Sequence, residues 1–129
     1  MLVRREVLED VGLLDEAYFF SFEDLELCLR ARRAGWKIEV LGGMVAYHQG
    51  SASMGYRSPD RIYYGTRNHL LLARRQGKGP WRLATTMAFN LAHACFTSPV
   101  SKLEALGACL TGARDYSRGR FGPRETGSS

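Results

Sequence analysis

The run Ser21-Phe22-Glu23-Asp24 puts two adjacent carboxylates at the expected first turn of a helix. There a carboxylate meets free backbone N–H groups and the positive end of the helix dipole. At about 100° per residue, Phe22, Leu25 and Leu29 share one stripe, while Asp24, Leu27, Cys28 and Ala31 share another. Asp24 thus lies on a face with apolar and small residues, and Glu23 points elsewhere. A carboxylate so placed can take a proton from a hydroxyl held in a cleft. Equally, Asp24 can do no more than close a capping box with Ser21. Further along, His48 precedes Gly50, Ser51 and Ser53, a small-residue loop that leaves its imidazole open to a ligand or metal ion. A structural histidine is the plain alternative. Glu26 and Arg30, spaced i,i+4, read as a surface ion pair.

The elements that would hold these groups follow from caps and breakers. Residues 4–11 predict a short helix stopped by Gly12, followed by an aromatic turn through LLDEAYFF. The helix that carries the acid pair is expected to start at Ser21 as N-cap and to stop at Gly35. Trp36 to Leu41 and Met44 to His48 read as two short strands about the Gly42-Gly43 turn. Ser58-Pro59-Asp60 begins a helix to about Gly77, because Ser caps and Pro suits the first helical position. Pro80 opens a helix to about Phe96, and Pro99 begins another that ends near Gly112. From Ser117 the chain is polar and Gly-rich and reads as a loose tail. The composition changes at Gly77-Lys78-Gly79-Pro80, which divides the chain into 1–76, a helical tail 77–116 and a C-terminus 117–129.

Bulk properties bound the function without choosing it. The chain has 129 residues, 45% hydrophobic and 24% charged, enough for one modest core. A net charge of +5 suits nucleic acid, an anionic membrane surface, a phosphorylated substrate or simply a solvated basic surface. RNA is disfavoured because the aromatics cluster in an acidic segment, DEAYFFSFED, that would repel phosphates. Cys28, Cys95 and Cys109 are too scattered for a disulfide framework or zinc motif, and a reducing cytoplasm fits them. The start lacks the apolar run of a signal peptide, and Leu83 to Phe96 falls short of the roughly 20 apolar residues that span a bilayer. The tail interleaves Trp81, Leu83, Met87, Phe89 and Phe96 with Arg82 and Lys102, a pattern for core packing or for lying on an anionic membrane.

Three ordered features resemble family 2 glycosyltransferases, in particular their rhamnosyltransferase-like branch. They are Gly12…Asp15-Glu16…Tyr18-Phe19-Phe20…Glu23-Asp24, then Glu26-Leu27-Cys28…Arg30…Gly35, then Tyr47-His48…Gly50-Ser51…Ser53. Tyr63-Tyr64 and Thr66-Arg67-Asn68 extend the similarity, which covers most of residues 3 to 76.

The resemblance implies an α/β fold, the acceptor-side half of a GT-A nucleotide-diphospho-sugar transferase, followed by the helical tail. It implies inverting transfer of a hexosyl or deoxyhexosyl group from a nucleotide-sugar donor to a glycan or lipid-linked acceptor in cell-wall or polysaccharide synthesis. Asp24 would be the general base with Glu23 beside it, and His48 a ligand to Mg²⁺ or Mn²⁺. Tyr18, Phe20, Ser51 and Arg67 would contact substrate. Arg67 and the Arg74-Arg75 pair could reach a phosphate, with solvated helix faces as the expected role. The expected location is cytoplasmic, with peripheral contact at the inner face of the plasma membrane as one role for the tail. Relatives carry an Asp-x-Asp metal motif upstream that occurs nowhere in this sequence. Met1 is therefore expected to be internal to a longer gene, and the isolated chain to transfer weakly or not at all. The competing readings are a noncatalytic basic module binding a membrane surface or RNA, and an inactive remnant.

Overall fold

The computed structural model describes residues 1–43, 45, 47, 55, 58–96 and 99–124, and these form helices alone. Five are present: α1 (Arg5–Val11), α2 (Glu23–Arg33), α3 (Pro59–Arg75), α4 (Pro80–Phe96) and α5 (Lys102–Ser117). The expectation of an α/β, partial GT-A fold is thereby overturned. Residues 36–41 are not a strand, and Val40 is 95% exposed. Of the second expected strand, Val45 and Tyr47 are exposed and outside any strand, while Met44, Ala46 and His48 lie outside the described residues. A strand exists only by hydrogen bonding to a neighbouring strand, and the described residues supply none. No helix among them is long and apolar enough to cross a membrane.

Local signals account for most helix ends. Gly12 follows α1 with φ 84°, and Gly35 follows α2 with φ 93°. Beyond α2 the Trp36 N–H reaches back to the Ala31 carbonyl at 3.0 Å, which satisfies an orphan acceptor of the last turn. Ser58 Oγ accepts the Asp60 N–H at 3.2 Å and starts α3. Ser101 and Glu104 form a reciprocal cap on α5, with Ser101 Oγ accepting the Glu104 N–H at 3.3 Å and donating to its carboxylate at 2.6 Å.

Helix α3 is the organising element, packed against both α4 and α5, which also pack on each other. Three apolar clusters line it. Tyr18, Leu71 and Leu72 gather Phe22, Leu29, Tyr116 and Phe121. Tyr63, Tyr64 and Ala108 hold Phe20, and Ala94, Ala105 and Cys109 hold Met87 and Leu91.

The last helix does not stop at Gly112, as the sequence suggested, but runs on to Ser117. Gly112 is there for packing rather than termination. A Cβ at this position would stand 2.5 Å from the Tyr63 carbonyl oxygen and 3.3 Å from the Arg67 nitrogen, both backbone atoms of α3. Gly112→Ala is accordingly expected to lower stability by about 1–3 kcal/mol through forced separation of α3 and α5, despite alanine's better helix propensity. Urea unfolding checks this, and a variant as stable as the parent would contradict the close approach.

Residues 118–124, read from sequence as loose, lie along α3 as a strap. Phe121 joins the Tyr18 cluster, Gly122 N–H donates to the Ala17 carbonyl at 3.0 Å, and the Arg124 N–H donates to the Tyr64 hydroxyl at 2.6 Å. Arg124 also pairs with Asp60 at 2.8 Å.

Candidate active site

The segment from Asp15 to Asp24 is an irregular loop that ends in the acid pair. Three of its non-glycine residues, Phe19 (φ 56°), Ser21 (φ 67°) and Phe22 (φ 73°), occupy the left-handed region. Each costs on the order of 1–2 kcal/mol relative to ordinary backbone, so something must hold them there. Two consecutive residues of α3 do so. Asn68 Nδ2 lies 2.6 Å from the carbonyls of Tyr18 and Phe20 and 3.1 Å from that of Ser21, its two N–H groups shared among three acceptors. The Arg67 guanidinium donates to the carbonyls of Gly122 at 2.8 Å, Ala17 at 3.1 Å and Tyr18 at 3.3 Å. Its Nε donates to Asn68 Oδ1 at 3.0 Å, which fixes the amide with its donors toward the loop.

Arg67 is only 1% exposed, so it lies on no solvated helix face, and each of its three nitrogens donates to a protein atom. The rings of Tyr64 and Tyr63 flank its guanidinium at 4.9 and 5.5 Å, replacing some of the solvation lost on burial. Arg75 is likewise not simply solvated, for it pairs with Asp15 and lies 5.4 Å over the Tyr18 ring.

The helix N-cap is Phe22 rather than Ser21, and no side chain caps it. The capping box with Ser21 therefore does not form. Glu23 and Asp24 occupy the first two helical positions, and Asp24 Oδ1 accepts the Leu25 N–H at 2.6 Å. Asp24 is exposed, and the buried face of α2 instead carries Glu26, Leu27 and Ala31. Glu23 is half-buried, with Oε2 buried and unpartnered among the described residues, at the edge of a cleft of about 300 Å³ that Asp15 and Phe19 also line.

Glu26 and Arg30 are not the surface pair that their spacing suggested. Glu26 is 6% exposed, bonds Arg30 Nε through both oxygens at 2.8–2.9 Å, and the same guanidinium reaches the carbonyls of Val11 and Leu13. This pair ties the end of α1 to α2 and so sets where the acid loop begins.

Among the expected substrate contacts, Tyr18 is fully buried, with its hydroxyl lacking a hydrogen-bond partner among the described residues. Burial chiefly pushes its pKa up to about 12, with Glu26 and Asp15 adding to the rise against the pull of Arg75. Phe20 is half-buried, edge-on to Tyr64 at 6.2 Å and beneath Arg61. His48 and Ser51 lie outside the described residues. No group of three His, Cys, Asp or Glu able to hold a metal ion converges among the described residues. Asn68, assigned no role from the sequence, is the residue that most shapes the loop.

The Asp15 carboxyl lies below its ordinary 3.8. Burial alone would raise it, but hydrogen bonds from Arg75 and the Ala17 N–H, with the attraction of Arg75 and Arg30, outweigh that effect. A depressed folded value favours the ionised form in the fold, so its stabilisation is present above about pH 4 and is lost as pH falls through the folded value. Asp15→Asn should flatten the loss of thermal stability on acidification below about pH 4. Melting curves from pH 6 down to 2 measure this, and an unchanged acid slope would remove Asp15 from the account.

Over residues 1–65, half of the chain, the sequence matches the family described as glycosyltransferase like family 2. It is 28% identical over 131 residues to the dTDP-rhamnosyl transferase RfbF of Shigella flexneri, covering 94% of this chain and 44% of that protein. It is 32% identical over 72 residues to the low-salt glycan biosynthesis hexosyltransferase Agl10 of Haloferax volcanii, covering 55% of this chain and 24% of that protein. The chain thus spans less than half the length of either relative. No solved structure matches.

Proposed function

Since this chain belongs to the glycosyltransferase-like family 2, we propose that it carries the base-bearing, acceptor-side part of an inverting sugar transferase, with Asp24 as the general base. The observation that carries this reading is the strained loop 19–22, held by Asn68 and Arg67, that delivers Asp24 to an exposed helix start. Backbone strain kept in place by long-range hydrogen bonds is typical of functional loops.

Asp24 Oδ1 is engaged by the Leu25 N–H, which leaves Oδ2 for a proton. In the proposed step the acceptor hydroxyl gives its proton to Asp24 while its oxygen bonds the anomeric carbon of a nucleotide-activated sugar. The bond from that carbon to the diphosphate breaks on the opposite face, and the nucleoside diphosphate leaves with the electron pair. A base within hydrogen-bonding reach supplies on the order of 10²–10⁴ in rate. His48 would be one ligand to a Mg²⁺ or Mn²⁺ ion, which would supply charge to stabilise the departing diphosphate. The described residues hold no cluster fitted to that ion, so none of the steps derived from them passes through it.

The donor is a nucleotide sugar and the acceptor a glycan or a lipid-linked glycan. The test is release of nucleoside diphosphate from nucleotide sugars by the product of the complete reading frame that contains this chain. Release that requires a glycan acceptor is the expected result. A salt-dependent shift of RNA without any nucleotide-sugar turnover would replace this reading by that of a basic binding module.

Peripheral membrane contact by the tail is supported by Trp81 and Phe96, which stand 78% and 85% exposed at the two ends of α4, Trp81 with Arg82 next to it in the chain. Co-sedimentation with vesicles rich in phosphatidylglycerol should be reduced at least several-fold by the pair Trp81→Ser and Phe96→Ser. Equal binding by that variant would confine the tail to packing.

A further inference from the structure

Next to the acid loop lies a cleft of about 590 Å³ that the proposed chemistry does not yet use, bounded by Ser21 and Phe22, by α3 and by α4. Its size is within the ordinary range for small-ligand pockets, about 300–1,000 Å³. We infer that this cleft holds the acceptor, and that what it grips is a neutral sugar unit of a glycan.

Three features carry the inference. The first is an aromatic wall. The His69 ring stacks on Phe22 at 5.3 Å and 19°, and Phe89 meets it edge-on at 6.1 Å. Phe89 is nonetheless 61% exposed, so apolar ring surface faces the opening. A pyranose presents a patch of C–H groups on one face, and such a patch packs on an aromatic ring. The second is an unused donor. Asn90 Oδ1 is engaged by His69 Nδ1 at 3.3 Å, whereas Asn90 Nδ2 is buried without a partner among the described residues. Buried amide donors are rarely left unpaired in native proteins, and a sugar hydroxyl or ring oxygen would supply the missing acceptor. The third is position. Phe22 is both a wall of the cleft and the N-cap of α2, so this wall residue immediately precedes Glu23-Asp24 in the chain.

Charge narrows the ligand class. Among the described residues the lining includes Arg61, His69 and His93 and no carboxylate, so these walls do not select a cationic ligand. Hydroxyl and amide groups with aromatic surface suit a neutral sugar. A nucleotide base could also stack there, and the experiment separates the two.

The choice of a glycan rests on the transferase reading above, and the measurement is therefore made on binding as well as on turnover. Saturation-transfer NMR on this 129-residue chain would use p-nitrophenyl glycosides of glucose, galactose, N-acetylglucosamine and rhamnose, with uridine and thymidine diphosphates as competitors. Saturation of sugar protons in at least one glycoside is expected, undisturbed by either nucleotide. Phe89→Ala and Asn90→Leu should each weaken binding at least tenfold. Phe89 is exposed, so its variant tests the cleft without threatening the fold. Competition by a nucleotide, absence of saturation from every glycoside, or unchanged binding in both variants would overturn the inference. In the complete reading frame both variants should raise the acceptor KM with donor KM unchanged, whereas Asp24→Asn should depress kcat and leave glycoside binding intact. Loss of glycoside binding with Asp24 still essential would sink the cleft alone. Glycoside binding with Asp24 dispensable would sink the base alone.

Discussion

Asn68→Asp should lower the stability of this chain by about 2–4 kcal/mol at neutral pH, though the two side chains have nearly the same shape. Asn68 is fully buried, and its amide donors serve the carbonyls of Tyr18, Phe20 and Ser21. Tyr18 keeps a second donor in Arg67, but the Phe20 and Ser21 carbonyls have no other partner among the described residues. Each orphaned buried carbonyl costs about 1–3 kcal/mol, and an aspartate offers it only further acceptors. Attraction between the new carboxylate and Arg67 recovers part of the loss without supplying a donor. The left-handed residues Phe19, Ser21 and Phe22 then lose what holds them, so the acid pair should shift as well. Urea unfolding gives the stability change, and amide exchange across residues 17–25 reports loop opening before global unfolding. A change below about 0.5 kcal/mol would mean that the loop holds its own conformation.

The comparison of sequence with structure turns on how far apart the determining residues lie. Helix starts were legible where the signal is a neighbour, as with Ser58 capping Asp60 and Pro80 opening α4. The start of α2 was displaced by one residue because an amide 47 positions away, not Ser21 itself, decides the geometry of Ser21. Gly112 carried the usual mark of a helix end, yet only the approach of α3 reveals that its missing Cβ serves packing. The i,i+4 spacing of Glu26 and Arg30 told that they would meet and said nothing of depth, which Val11 and Leu13 determine. Trp36 to Leu41, ahead of the Gly42-Gly43 turn, read as a strand, but pairing is a property of two segments and no second one is present among the described residues.

For the site, the adjacency of Glu23 and Asp24 and their place at a helix start were readable, and the structure keeps both at the first turn of α2. Their orientation was not. Counting faces from the wheel put Asp24 with Leu27 and Ala31, whereas α2 buries Glu26 beside those residues and leaves Asp24 to solvent. An open carboxylate suits a base that must meet an incoming hydroxyl. Arg67 was expected to contact substrate or to lie on a solvated helix face, but its neighbours in space are the loop carbonyls and two tyrosine rings. We accordingly assign it to holding the loop.

On the proposed chemistry, the largest effect on activity belongs to Asp24. An asparagine keeps the shape and can still accept the Leu25 N–H through its amide oxygen, so the start of α2 should survive. It cannot take the acceptor proton. In the product of the complete reading frame, Asp24→Asn should reduce kcat by about 10²–10⁴ while donor affinity stays within about twofold, since the base acts in the transition state and not in holding the nucleotide. Glu23→Gln should cost far less, because Glu23 faces the smaller cleft with Asp15 and Phe19. The most direct test of the central claim is therefore the transfer rate of Asp24→Asn at saturating donor and acceptor, with nucleotide-sugar binding measured on the same preparation. The account predicts binding retained and turnover lost by at least about a hundredfold. Transfer at near-native rate with donor binding intact would contradict it and remove Asp24 from the chemistry.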